Sequence, residues 1–150
     1  MTNRAVGNRL SDILKETEMK LEGVKEQFLL NVAKGLTDLS PVDTGDYVMS
    51  HNIGTRSIAG RFTGNFRAIG PGGQDPSAKK AESFSKLSGQ IAELPKNATT
   101  VFIGNTAPHA KAVEEGGPSW LRPGYKVYSI VRNLANIYLA DAVAKVKGST

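Results

Sequence analysis

The chain contains no cysteine. A disulfide framework, a thiolate zinc site and a cysteine nucleophile are therefore excluded, and the composition suits assembly in a reducing cytoplasm. Histidine is nearly as scarce. His51 and His109 are the only two, 58 positions apart, which is too few and too distant for a local metal-ligand spacing, so neither a metal nor a cofactor is expected. Apolar residues make up 39% and aromatics 7%, with a single tryptophan, on the low side for a globular chain. The longest apolar runs are a few residues, so no segment is expected to span a membrane. Met1-Thr2-Asn3-Arg4 leads into no run resembling a signal peptide.

What is present sets the other limits. One hundred and fifty residues hold one domain with a real core and too little for two. Sixteen glycines and seven prolines point to substantial loop. Nineteen basic residues against 14 acidic give a net charge of +5. Such a balance favours an anionic partner, either DNA or an acidic protein surface, and also serves plain solubility.

Leu10, Ile13, Leu14, Thr17, Leu21, Val24, Phe28, Val32 and Leu36 recur at steps of three and four, the stripe of one amphipathic helix. Ser11 and Asp12 are candidate N-caps. The helix is expected to end at Leu36 or Leu39, with Gly35 a candidate terminator and Pro41 a definite one. Asp46 to Thr55 alternates as a strand, with Tyr47, Met49, His51 and Ile53 on one face. Arg61 to Ile69 is a weaker strand candidate, and residues 70–76 (Gly-Pro-Gly-Gly-Gln-Asp-Pro) are a break. Ala78 to Leu94 reads as a short helix ended by Pro95. Thr99 to Gly104 is the clearest strand. Ala107 to Glu115 reads as a helix opened by Pro108 and closed by Gly116-Gly117. Val127 to Val146 is a C-terminal amphipathic helix. The order predicts an α+β fold over residues 1–150. A small antiparallel sheet is packed on one face by the long N-terminal and the C-terminal helices, with a flexible insertion at about 56–98.

Ser40-Pro41-Val42-Asp43-Thr44-Gly45 follows directly on the first helix. Asp-Thr-Gly also carries the catalytic carboxylate of aspartic proteases, where two copies share a proton. Here the triplet follows a helix and a Ser-Pro break rather than an apolar strand. Pro41 fixes φ, Asp43 can accept from backbone amides ahead of it, and Gly45 tolerates positive φ, so a turn is the simpler reading. A homodimeric protease through Asp43 is the remote alternative. His109 lies near Glu114 and Glu115, but no nucleophile-elbow motif accompanies them, and no catalysis is expected. Arg56, Arg61 and Arg67 before the glycine-rich break, and Lys79, Lys80 and Lys86 after it, form the strongest local case for anion contact. A DNA-binding module using this stretch is the main alternative function. Trp120, between Pro118 and Pro123, is either a core residue or an interface anchor.

Taken in order, these blocks resemble the tail-completion, or head-to-tail joining (neck), proteins of tailed bacteriophages. The resemblance is carried by Ser40 to Gly45, Gly104-Asn105, Pro108-His109-Ala110, Val113-Glu114-Glu115-Gly116 and Arg122-Pro123. It covers nearly the whole chain outside residues 56–98. His109 stands where tyrosine is usual and Glu115 where phenylalanine is usual. The resemblance implies a structural virion protein made in the host bacterial cytoplasm. Such a protein forms a homo-oligomeric ring, commonly sixfold, at the head–tail junction, with no catalysis and no cofactor. Its implied partners are copies of itself, the other neck, connector and tail-tube proteins, and genomic DNA passing through the bore. His109, Glu114, Glu115, Trp120 and Arg122 are then interface candidates. Arg56, Arg61, Arg67, Lys79 and Lys80 are candidates for contact with DNA or an acidic partner.

Overall fold

The computed structural model describes residues 2–42, 46–56, 75–117 and 123–148, with the side chains of the first helix described from Lys20 onward. Six helices and two strands are present among them: α1 (Thr2–Leu39), α2 (Asp46–Met49), β1 (His51–Gly54), α3 (Pro76–Ala92), β2 (Phe102–Asn105), α4 (Ala110–Glu115), α5 (Val127–Asn133) and α6 (Ala135–Gly148). The mixed α+β architecture expected from the element order is the one observed.

Helix α1 is the spine. It begins at Thr2 rather than at a cap near Ser11, and Gly35 does not end it. A side chain at that position would collide with the Tyr138 hydroxyl, so the glycine is there to admit a neighbouring helix. That neighbour is α6, which runs antiparallel to α1, with Tyr138 against Gly35 and Val146 against Gly23. Asn31 Nδ2 donates to the Tyr138 carbonyl at 3.0 Å. The helix closes at Ser40, whose hydroxyl donates to the Leu36 carbonyl at 2.5 Å, satisfying one of the carbonyls that every helix end leaves open.

Two apolar clusters flank this spine. Val32 and Leu36 join Tyr47, Ala107, Val113, Val127 and Val131 on one side. Leu29 and Ala33 join Ile53, Leu87 and Ile91 on the other. The helix expected over Ala78–Leu94 is observed as α3, and with Leu87 fully buried in the second cluster this part of the 56–98 segment is packed rather than flexible. A sequence signal for its start was there to be used. Asp75 is the N-cap, its side chain accepting from the amides of Ser77 and Ala78, and Pro76 stands at N1, the residue types that open helices. The Arg61–Ile69 strand candidate lies outside the described residues.

The sheet is a two-stranded antiparallel pair with His51 opposite Asn105 and Ile53 opposite Ile103. Two short strands are not stable alone, and α3 braces the free edge of β1. Lys86 Nζ donates to the carbonyls of Met49 (2.8 Å) and His51 (3.1 Å). Gln90 Oε1 accepts from the Ile53 amide at 2.9 Å, and Gln90 Nε2 donates to Asn52 Oδ1 at 3.0 Å. Within β1 the alternation holds, His51 and Ile53 being buried. It fails before it. Residues 46–49 are a helical turn, not strand, because Tyr47 and Val48 are both buried. A pleated strand cannot bury successive side chains on one face. The Ser50 hydroxyl donates to the Asp46 carbonyl at 2.5 Å and that of Ser83 to the Val48 carbonyl, holding the turn from both sides. The expected 127–146 helix is interrupted at Leu134, whose φ and ψ are −90° and 0°, dividing it into α5 and α6. No helix among the described residues is long and apolar enough to cross a membrane.

Candidate functional site

Two residues of the sequence motifs, Ser40 and Asn105, meet at His51. This side chain is fully buried and meets four elements at once. Its Nε2 lies 2.7 Å from Ser40 Oγ, and its Nδ1 lies 2.7 Å from the Tyr128 hydroxyl and 3.2 Å from Asn105 Nδ2. Tyr47 stands edge-on to the ring, with centroids 5.1 Å apart.

The hydrogen bonds around the cluster assign the protons. The Ser40 hydroxyl hydrogen is committed to the Leu36 carbonyl, so Ser40 Oγ accepts from His51 Nε2–H. The Asn105 amide is oriented by two backbone contacts, Nδ2 donating to the Tyr47 carbonyl at 2.8 Å and Oδ1 accepting from the Ala107 amide at 2.9 Å. Its NH2 therefore faces His51 Nδ1, which must accept. The imidazole is held as the neutral Nε2–H tautomer, assigned from its partners. Burial, and secondarily the Lys86 charge, lowers its pKa to about 3. Burial likewise pushes the Tyr47 and Tyr128 hydroxyls up, with Glu114 adding to both.

This arrangement has the wrong polarity for nucleophilic catalysis. An activating histidine accepts the serine proton, whereas here the ring donates to Ser40. Neither side chain reaches solvent, Ser40 being 2% exposed and His51 0%. Tyr47 Oη is buried with no hydrogen-bond partner among the described residues. No group of three or more metal-ligating side chains occurs among the described residues.

Val113, Glu114 and Gly116 also build the fold. Val113 is buried in the first cluster. Glu114 reaches across to α5, its carboxylate accepting from the amides of Tyr128 (3.0 Å) and Ser129 (2.9 Å). α5 has no cap of its own, because Lys126 at its N-cap is left-handed (φ 53°) and makes no side-chain cap bond. Glu114 supplies the missing acceptor and places a negative charge at a helix N-terminus. Replacing Glu114 with alanine is expected to cost about 1–2 kcal/mol, read as a lowered denaturant midpoint at unchanged slope. Glutamine there should recover part of the loss. Gly116 ends α4 with φ 94°, a backbone setting that favours glycine.

Of the other sequence candidates, His109 is half-buried beside Tyr47, with ring centroids 6.5 Å apart, and Glu115 is exposed. Pro41 follows the end of α1. Asp43, Thr44, Gly45, Trp120, Arg122, Arg61 and Arg67 lie outside the described residues. Arg56 is exposed. The two lysines expected to meet DNA or an acidic partner already have partners within the chain. Lys79 pairs with Glu82 at 3.3 Å, and Lys80 Nζ donates to the Asp38 carbonyl at 2.7 Å, at the end of α1. The His51 network was not legible as a site from sequence; only the odd placement of a histidine in an apolar alternation hinted at it. Compared with protein-family models, curated proteins and solved structures, the chain matches none of them.

Proposed function

We propose that this chain is a structural neck protein of a tailed bacteriophage. It forms a homo-oligomeric ring, most simply sixfold, at the head–tail junction, completing the tail and joining it to the connector, with DNA passing through the bore. The observation that carries the reading is the fate of the motif residues. Ser40, Asn105, Val113 and Glu114, drawn from three separate blocks of the resemblance, are spent on helix ends, a turn and the core. Residue types held for architecture suit a protein whose product is geometry. Apolar side chains left on the surface suit an assembling subunit, among them Leu21, Phe102, Ile137 and Leu139. The engagement of Lys79 and Lys80 within the chain favours this reading over a DNA-binding module.

The test is sedimentation of the purified chain alone and with purified connectors or tails. The expected species is a closed ring, near six times the 16.0 kDa protomer, free or bound to one of those partners. A chain that stays monomeric with both partners present contradicts the reading.

A further inference from the structure

We infer that the outer edge of β2 pairs with the same edge of a second copy of this chain, joining the two sheets into one four-stranded antiparallel sheet across a two-fold axis. The inference is independent of the ring reading, because a two-fold contact closes on two copies and does not by itself generate a cyclic ring.

The ladder between β1 and β2 fixes which backbone groups are left over. The Thr106 amide donates to the Ser50 carbonyl at 2.9 Å, and the register sets Asn52 opposite Gly104 and Gly54 opposite Phe102. Facing pairs in an antiparallel ladder alternate between bonded and non-bonded. Phe102 and Gly104 therefore turn their amides and carbonyls toward β1, while Ile103 and Asn105 turn theirs away. The same parity holds on β1, where the outward groups include the Ile53 amide and the His51 carbonyl. Both are taken by α3, through Gln90 and Lys86. The outward main-chain groups of Ile103 and Asn105 have no such cover, and among the described residues no hydrogen bond reaches them. Proteins discourage pairing at an open edge with charged side chains or proline. The run Thr99–Asn105 contains neither.

The pattern of the strand selects the occupant. Two copies of β2 set antiparallel about an axis at Ile103 exchange both bonds of that residue, each amide donating to the other copy's carbonyl. In this register Phe102 of each copy stands opposite Gly104 of the other, as a non-hydrogen-bonded pair, the closer kind. An aromatic ring laid across an edge glycine is a favourable cross-strand pair. Phe102 is 40% exposed, and a Cβ at Gly54, its neighbour on β1, would meet nothing within 4 Å, so that face of the sheet has room for the ring. Two-fold symmetry brings each residue near its own copy, and an uncharged strand meets itself without repulsion.

Sedimentation velocity of the full chain over a range of concentrations, with exchange of the Ile103 amide followed by NMR in the same samples, tests the pairing. A ladder this short gives a weak dimer, so the mass should rise with concentration toward twice the 16.0 kDa protomer, and the Ile103 amide should become protected in step. Phe102→Lys and Phe102→Glu each remove both aromatic–glycine pairs and set like charges at diagonal positions. Each alone should dimerise about tenfold more weakly, with circular dichroism showing that it folds. An equimolar mixture sets opposite charges at those positions and should recover dimer. A parent with no dimer and no Ile103 protection overturns the inference, as do variants that dimerise as well as the parent or a mixture no stronger than its components. Protection that appears only when connectors or tails are added assigns the edge to a strand of another protein and also overturns self-pairing. Rings formed alike by the parent and both variants, with the Ile103 amide unprotected, remove the pairing and leave the ring reading standing.

Discussion

Acidification from pH 7 to pH 5 is expected to remove about 2 kcal/mol of folding stability through one side chain, His51. The folded state holds its imidazole neutral, with a pKa near 3, while the unfolded chain releases it to the ordinary value near 6.5. Below pH 6.5 the unfolded state binds a proton that the folded state refuses. Stability is therefore fully present above the unfolded value and is lost as pH falls toward the folded one. The cause is burial of the ring, with the Lys86 charge second, and two donors already occupy Nδ1. Tyr128 can rotate its hydroxyl hydrogen away, but the Asn105 NH2 cannot turn without giving up its bonds to Tyr47 and Ala107. Denaturant unfolding at pH 7, 6 and 5 reads the effect directly. His51→Gln should be less stable at pH 7, because it disturbs a buried network, yet its stability should change far less between pH 7 and 5. An equal pH slope in the variant would show that the acid sensitivity lies elsewhere.

Gly124→Ala is expected to be severely damaging, costing about 3 kcal/mol and lowering Tm by roughly 6–12 °C. A Cβ built there overlaps the carbonyl group of Glu114 and the backbone of Glu115. Main-chain atoms cannot swing aside as a side-chain tip can. The residues after Gly124 are bonded to the same stretch, the Tyr125 amide donating to the Val113 carbonyl at 2.7 Å and the Lys126 amide to the Glu114 carbonyl at 3.1 Å. Forcing the two apart loosens those bonds and withdraws the Glu114 carboxylate from α5. Gly89→Ala is the matched comparison. It lies within helix α3 and its Cβ would meet nothing within 4 Å, so it should raise stability by about 0.5–1 kcal/mol. Equal thermal shifts for the two variants would contradict the packing argument.

The long helices were legible in the sequence because their apolar period extends over many turns. Val32 and Leu36 announced one buried side of α1, and Val127 and Val131 that of α5; Leu29 and Ala33, buried on a second side, lay outside the stripe. The antiparallel pair was legible in part, since Ile53 and His51 alternate with half-buried neighbours. Short elements were not. The turn at 46–49 mimics a strand because Tyr47, Met49, His51 and Ile53 happen to alternate; a local bond from Ser50 and a tertiary one from Ser83 hold it as a turn. Gly35 was read as a stop when it is a socket for Tyr138, a distinction that depends on a residue 103 positions away. The His51 network was hidden for the same reason. Its members Ser40, Asn105 and Tyr128 are ordinary in their own segments and acquire meaning only when α1, β1, β2 and α5 meet.

The resemblance to neck proteins and the fold make one connected proposal: motif residues are conscripted into architecture, and surfaces left over are for assembly. Electron microscopy of the purified chain mixed with purified tails tests this most directly. The expected image is a ring with a central opening seated on one end of each tail. Bare tail ends beside dispersed monomers of the well-folded parent chain would contradict it.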